Sequence, residues 1–183
     1  MPLADMTPRN PCLPVVLAML MLTSACSSSQ GWAPDVSMPD LSSWFSKENE
    51  VLVVEAANDS QCNAPDGHTT LQLLPTAEAV AAWQAGRGIS LPGTASLPAA
   101  RYVAVDLGQR SSAGYGLAIS RQAGFKEGLL VLKATTFAPA ADAMSAQLIT
   151  SPCALVRLPA IEFQSLRLID QSGKALARTA GAS

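Results

Sequence analysis

The chain has 183 residues, Lys+Arg 12 against Asp+Glu 14 for a formal net charge of -2, and 49% hydrophobic residues. With no basic block and only 5% aromatic residues, it lacks the charged footprint and stacking platform of a nucleic-acid-binding protein. Its single histidine, His68, excludes every mechanism that needs two imidazoles, and the length fits one domain plus processing or linker segments.

The chain starts with a short apolar core, Leu13 to Leu22, which follows Arg9 and precedes the small residues Thr23, Ser24 and Ala25. A run of about ten residues is well short of the roughly 20 needed to span a bilayer, so residues 1–25 read as an export signal rather than an anchor helix. Asp5 is unusual in the leading region of such a signal, and translation from Met6 would remove it. The sequence Leu22-Thr23-Ser24-Ala25-Cys26 resembles the lipobox of bacterial lipoproteins. That resemblance implies cleavage before Cys26, with palmitate-type diacylation of its sulfur and acylation of its nitrogen. One acyl chain holds a membrane only marginally, whereas two or three together anchor firmly. By the family's sorting rule, Ser27 in place of an aspartate points to the periplasmic side of the outer membrane. Residues 26–49 read as a linker, with Ser27-Ser28-Ser29, Gly31, Pro34 and Pro39 among apolar residues that follow no period. Trp44 and Phe45 can dock either on the domain or at the lipid interface.

Residues 50–180 read as a single β-rich domain. Val51 to Ala56 is a β-branched run and a first strand; Pro65-Asp66-Gly67 signals a turn; Thr70 to Leu74 is the second strand. Thr76 can cap a helix with Glu78 in its first turn and Gly86 as its stop, stable only if Val80 and Trp83 are buried against a sheet. After an irregular connection from Ile89 to Ala100 come two alternating apolar triplets, Val103, Val105, Leu107 and Tyr115, Leu117, Ile119. They read as a strand-turn-strand hairpin presenting one face to a common core. Gly124 and Gly128 bracket a turn, Leu129 to Phe137 is a strand with Leu130, Leu132 and Ala134 on one face, and Pro139 to Met144 is a loop. Cys153 to Leu158 is a strand between two prolines, and Phe163 to Asp170 and Lys174 to Arg178 form a closing hairpin around Gln171-Ser172-Gly173. Several short strands with one short helix predict a mainly β fold, an antiparallel β-sandwich or open barrel.

Of the four cysteines, Cys12 leaves with the signal and Cys26 takes the lipid, so Cys62 and Cys153 remain as an even pair. In an oxidising periplasm that pair predicts a disulfide rather than a metal or redox site, since there is no CxxC and only one histidine.

Val105-Asp106-Leu107-Gly108-Gln109-Arg110, Ser112-Ala113-Gly114-Tyr115, Pro139, Leu148-Ile149-Thr150-Ser151-Pro152 and Val156-Arg157-Leu158-Pro159 together resemble the C-terminal domain of the protease complex subunit PrcB family. The likeness covers Tyr102 to Leu168. Ser112-Ala113 stands where Thr-Gly is usual, and Ala141-Asp142 stands in the Pro-Gly loop. The resemblance implies a small β-rich lipoprotein domain and, in the namesake, association with a secreted protease. Gln109, Arg110, Gly114 and Tyr115 are the expected partner-binding residues, although Gly114-Tyr115 also has a structural explanation in a turn and a packed ring.

No GxSxG, HExxH, Walker loop or GxGxxG is present, and no cofactor is called for. Asn58, Asp59, Asn63 and Asp66 lack the glycine and terminal glutamate of a calcium loop, so no metal is expected. These features favour a non-catalytic accessory or binding module, contacting the membrane through its lipid and an exported protease or another envelope protein through its surface. An envelope enzyme without a recognisable motif and a protease inhibitor using the 110–115 loop are the alternatives.

Overall fold

The computed structural model describes residue 47 and residues 49–181. The expected signal segment, Cys26, and Trp44 and Phe45 of the linker lie outside the described residues. The chain then runs β1 (Glu50–Leu52), β2 (Val54–Asp59), β3 (Thr70–Leu74), α1 (Ala77–Arg87), β4 (Tyr102–Asp106), β5 (Gly116–Ile119), β6 (Gln122–Lys126), β7 (Leu129–Phe137), β8 (Cys153–Arg157), β9 (Ser165–Ile169) and β10 (Ala175–Ala180).

These strands form two sheets. One is ordered β2-β8-β4-β3; the other is ordered β1-β6-β7-β9-β10, with β5 also paired to β7. The expected mainly β sandwich is therefore present. All pairings are antiparallel except β7 with β9, which run parallel because the chain crosses to the other sheet for β8 before returning. Between the sheets lies a core built from Val103, Val105, Leu130, Leu132, Ala154, Val156, Leu166 and Leu168, with Leu117 and Ile119.

The third layer is α1. Thr76 Oγ1 accepts a hydrogen bond from the Ala79 amide at 3.2 Å, satisfying one of the amides the first turn leaves unpaired. Val80 and Trp83 are buried against Tyr102, Ala104 and Leu155 on the outer face of the four-stranded sheet, as the helix requires. The helix runs through Gly86 instead of stopping there, and ends at Gly88 in the left-handed conformation. Continuing one residue past Gly86 brings Arg87 to the sheet. Because α1 covers the second face of β4, all five of its residues are buried. The Tyr102 hydroxyl donates to the Pro98 carbonyl at 2.7 Å, and burial pushes its ionisation above the ordinary value while the Arg157 charge pulls it back.

Three further expectations are corrected. The run Val51 to Ala56 is two strands rather than one, because the chain turns at buried Val53, whose amide donates to the Arg121 carbonyl, and passes from one sheet to the other. The Tyr102-to-Ile119 hairpin does not form: β4 pairs with β3 and β8, and β5 pairs with β7 in the opposite sheet. The common core predicted for the two triplets nevertheless exists, because facing sheets satisfy a shared apolar face as well as a ladder does. Finally, Gly124 lies within β6, opposite Val131 and Glu50, and the turn is the two-residue Glu127-Gly128 link with φ values of 51 and 76. Positive φ at both positions is the geometry that suits the right-handed twist of a tight hairpin.

Candidate interaction site at the loop end of the sandwich

Where β4 ends, the chain must leave one sheet and reach the other, and it does so through residues 107–115. The first step is a hydrogen bond from the Leu107 amide to the Pro152 carbonyl at 2.8 Å. Gly108 follows with φ +88, and a Cβ there would lie 2.7 Å from the Gly67 carbonyl carbon and the His68 oxygen. Only glycine permits both that backbone conformation and that approach to the 66–68 turn. Gly108→Ala is expected to cost about 2 kcal/mol or more, from the conformational strain and the displacement of backbone. Gly67→Ala, which meets nothing within 4 Å, should stay within about 0.5 kcal/mol of the parent. Urea unfolding of the two variants reads the difference, and equal midpoints would refute the packing role.

Gln109 and Arg110 are spent largely on backbone. The Gln109 amide donates to the Asp66 carbonyl at 2.8 Å and its side-chain Nε2 to the Ala64 carbonyl at 2.9 Å. Arg110 exchanges two main-chain bonds with Thr150, at 2.8 and 2.9 Å, while its guanidinium donates to the carbonyls of Leu107 at 2.6 Å and Gly67 at 3.2 Å. The same guanidinium lies over the Tyr115 ring, 5.8 Å from its centroid. Thr150 Oγ1 donates to the carbonyl of buried Ser112 at 3.0 Å, and the Ala113 amide donates to the Ala146 carbonyl at 2.9 Å. Ala113 is not among the residues with positive φ, so alanine fits where the family pattern usually has glycine. Gly114, at φ +93, leaves room for Pro139, whose Cβ would stand 3.2 Å from an added Cβ.

The partner strand of this joint is Thr150-Ser151-Pro152. Ser151 Oγ accepts from the Ala64 amide at 2.8 Å, and its backbone bonds to Ser60 and Cys62. Cys62 and Cys153 are bonded as a disulfide with a Cα separation of 5.8 Å, as expected, and both are buried beneath α1. Beside them, Asp106 receives two bonds from the Arg87 guanidinium, at 2.6 and 2.9 Å. Arg87 Nη1 also donates to the Cys62 carbonyl at 3.4 Å, and Asn63 Nδ2 donates to the Arg87 carbonyl at 2.9 Å. Disulfide, ion pair and the 60–68 loop therefore form one joint, buried at Cys62, Ala64, Asp106 and Cys153.

The four expected binding residues thus lie together, at the seam where the two sheets meet, but the structure divides their roles. Gln109 and Arg110 act mainly as pins. Gly114 is exposed, and half-buried Tyr115 lines a shallow recess of about 370 Å³ with Asn58, Asp59, Leu117, Phe137 and Pro152. The sequence reading missed what these pins hold up. Residues 138–149 form a loop without strand or helix, and Met144, Leu148 and Ile149 on it are exposed, as is Phe137 at its base. The signal available was the coincidence of bulky apolar residues with a segment lacking any period.

The span 101–159 matches the family model described as PrcB C-terminal. No curated protein and no solved structure matches the chain. The matched span supplies β4 and β8, the two central strands of one sheet, β7, the strand on which β5, β6 and β9 all pair, and the 107–115 and 150–153 parts of the joint between the sheets, while Cys62, Arg87 and the 60–68 loop lie outside it. The strands outside it, β1 to β3 and β9 to β10, complete the sandwich around that centre. Residues 101–159 are thus similar to the PrcB C-terminal family, and they lie in the middle of a larger β-sandwich.

Proposed function

We propose that this protein is a non-catalytic accessory subunit of an exported protease complex, held by lipid on Cys26 at the periplasmic face of the outer membrane. The observation that carries the reading is the PrcB C-terminal match, which falls on the residues that build the joint and support its exposed loop. A subunit of that kind acts by contact, and the joint suits it, since its polar side chains are largely committed to hydrogen bonds within the fold. The lipobox-like Leu22-to-Cys26 stretch supports the anchor, and Ser27 supports the outer membrane as its destination. Two or three acyl chains suffice for stable attachment.

The test is extraction of membranes from cells making the full chain, in a mild detergent. The processed, lipidated protein should co-elute with an exported protease in fixed ratio, and the Cys26→Ser variant should accumulate as an unprocessed, unlipidated precursor. Elution alone or with sorting machinery only would overturn the accessory role. Normal processing of Cys26→Ser would overturn the anchor.

A further inference from the structure

Six large hydrophobic residues are exposed among the described residues, and four of them, Phe137, Met144, Leu148 and Ile149, lie on thirteen consecutive positions. Single exposed apolar side chains are ordinary, but such a concentration on one segment marks a contact surface. Met144 is exposed over its entire surface. Its backbone N–H and C=O bond to no other group among the described residues, while the Ala143 amide donates to the Ala140 carbonyl and the Ser145 and Ala146 carbonyls accept bonds within the fold, so Met144 is the free point of a braced loop.

The ends of the segment are fixed. Pro139 rests on Gly114, Thr150 is bonded to Arg110 in both directions, and the Ala146 carbonyl accepts from both Ala113 and Leu148. A loop braced by its own hydrogen bonds and held at both ends, with a bulky apolar side chain projecting near its apex, loses little freedom on binding. That is the physical requirement for a segment that presents one side chain to another protein's cleft.

From these features, and resting on the protease-complex reading above, the geometry points to residues 141–146 as a substrate-like docking segment. Met144 enters the specificity pocket of an endopeptidase that accepts bulky apolar side chains. Residues 138–149 contain no Lys or Arg and a single charge, Asp142, two positions before Met144. A protease selecting basic side chains is therefore a poor fit, and a cleft with an apolar pocket and no acidic wall near Asp142 is a good one. The 110–115 loop, by contrast, is held flush by its own hydrogen bonds, so the loop that enters a cleft is its neighbour.

The probe is chymotrypsin acting on a chromogenic peptide, with trypsin as the comparison and the intact full-length chain as competitor. Competitive inhibition of chymotrypsin is expected, with any slow cleavage beginning after Met144. Met144→Asp should weaken inhibition by about tenfold or more, equivalent to about 1.4 kcal/mol, while Met144→Leu retains it. Trypsin should be unaffected. Met144 is fully exposed, so equal urea midpoints for the variants will confirm that the fold is intact. The proposal is overturned by inhibition that Met144→Asp leaves unchanged, by a first cut outside residues 138–149, or by a dimer that Met144→Asp converts to monomer. If a protease co-elutes from membranes as strongly with Met144→Asp as with the parent, the loop assignment fails while the complex stands. If no protease co-elutes with the parent, the complex itself fails.

Discussion

Replacing Cys62 and Cys153 by alanine is expected to remove about 4 kcal/mol of stability, from the chain-entropy value for a loop of this size. The bridge joins residues 91 apart in sequence, so in the unfolded state it closes half the chain upon itself. Both sulfurs are buried in the cluster under α1, together with Val80, Trp83 and Leu155, so the loss of the bond is accompanied by loosened packing. The consequence extends to the seam between the sheets. The bridge fixes the 60–68 loop, and on that loop rest Gly108, Gln109 and Arg110. Urea denaturation of the parent with and without reductant measures the effect, the reduced protein unfolding at markedly lower urea. Coincident midpoints would mean that the bridge bears no stability.

Asp106→Ala is expected to cost about 3 kcal/mol, because it leaves the Arg87 guanidinium without its carboxylate beneath the helix. The Asp106 side chain is 1% exposed and that of Arg87 is 14% exposed, so water can replace the lost partner only in part. Arg87 also lies over the Trp83 ring at 4.8 Å, which holds the guanidinium in place even when its carboxylate is gone. Converting both partners to apolar residues, Asp106→Leu with Arg87→Met, should recover most of the loss, since a buried ion pair seldom outperforms well-packed hydrophobes. The double variant therefore separates two roles. Recovery would show that the pair supplies orientation rather than net stability; no recovery would show that the ion pair itself is stabilising. The disulfide and the ion pair share the Cys62 carbonyl, so their losses should not add.

Much of the fold was legible because the responsible signals are local. Thr70 to Leu74 and Leu129 to Phe137 appear with the expected bounds, since alternation and flanking Gly and Pro fix such segments without reference to the rest of the chain. The helix was legible from its cap and from Val80 and Trp83, and the disulfide from the even pair of cysteines left once Cys12 and Cys26 are assigned to the expected signal and lipid site. Strand pairing was not legible. Val103, Val105, Leu117 and Ile119 report which side chains share a core, but a period of two is the same whether two strands lie side by side or face to face. The pivot at Val53 was hidden for a similar reason: a β-branched residue reads as strand interior even where the chain changes sheet.

The candidate site was legible only in outline. Gln109, Arg110, Gly114 and Tyr115 drew notice through the family pattern, and they do converge, yet exposed Gln109 and half-buried Arg110 commit their side chains to hydrogen bonds that hold the joint. Asp106 read as one more residue on the second face of a strand. Its partner Arg87 lies 19 residues away, beyond the glycine expected to end the helix, so the pair emerges only once α1 is laid across the sheet. Met144 was visible as a loop residue, but its complete exposure depends on how Pro139 and Thr150 pin the ends of its segment.

The claim on which the account turns is that this domain works by contact with a protease through the exposed loop beside the joint. Incorporating a photoreactive residue at position 144 of the full chain, with position 110 as the pinned comparison, and irradiating intact cells tests it most directly. The account predicts a crosslink to an exported protease that is strong from position 144 and weak from position 110. Crosslinks from both positions to sorting machinery alone, with no protease recovered from either, would contradict it.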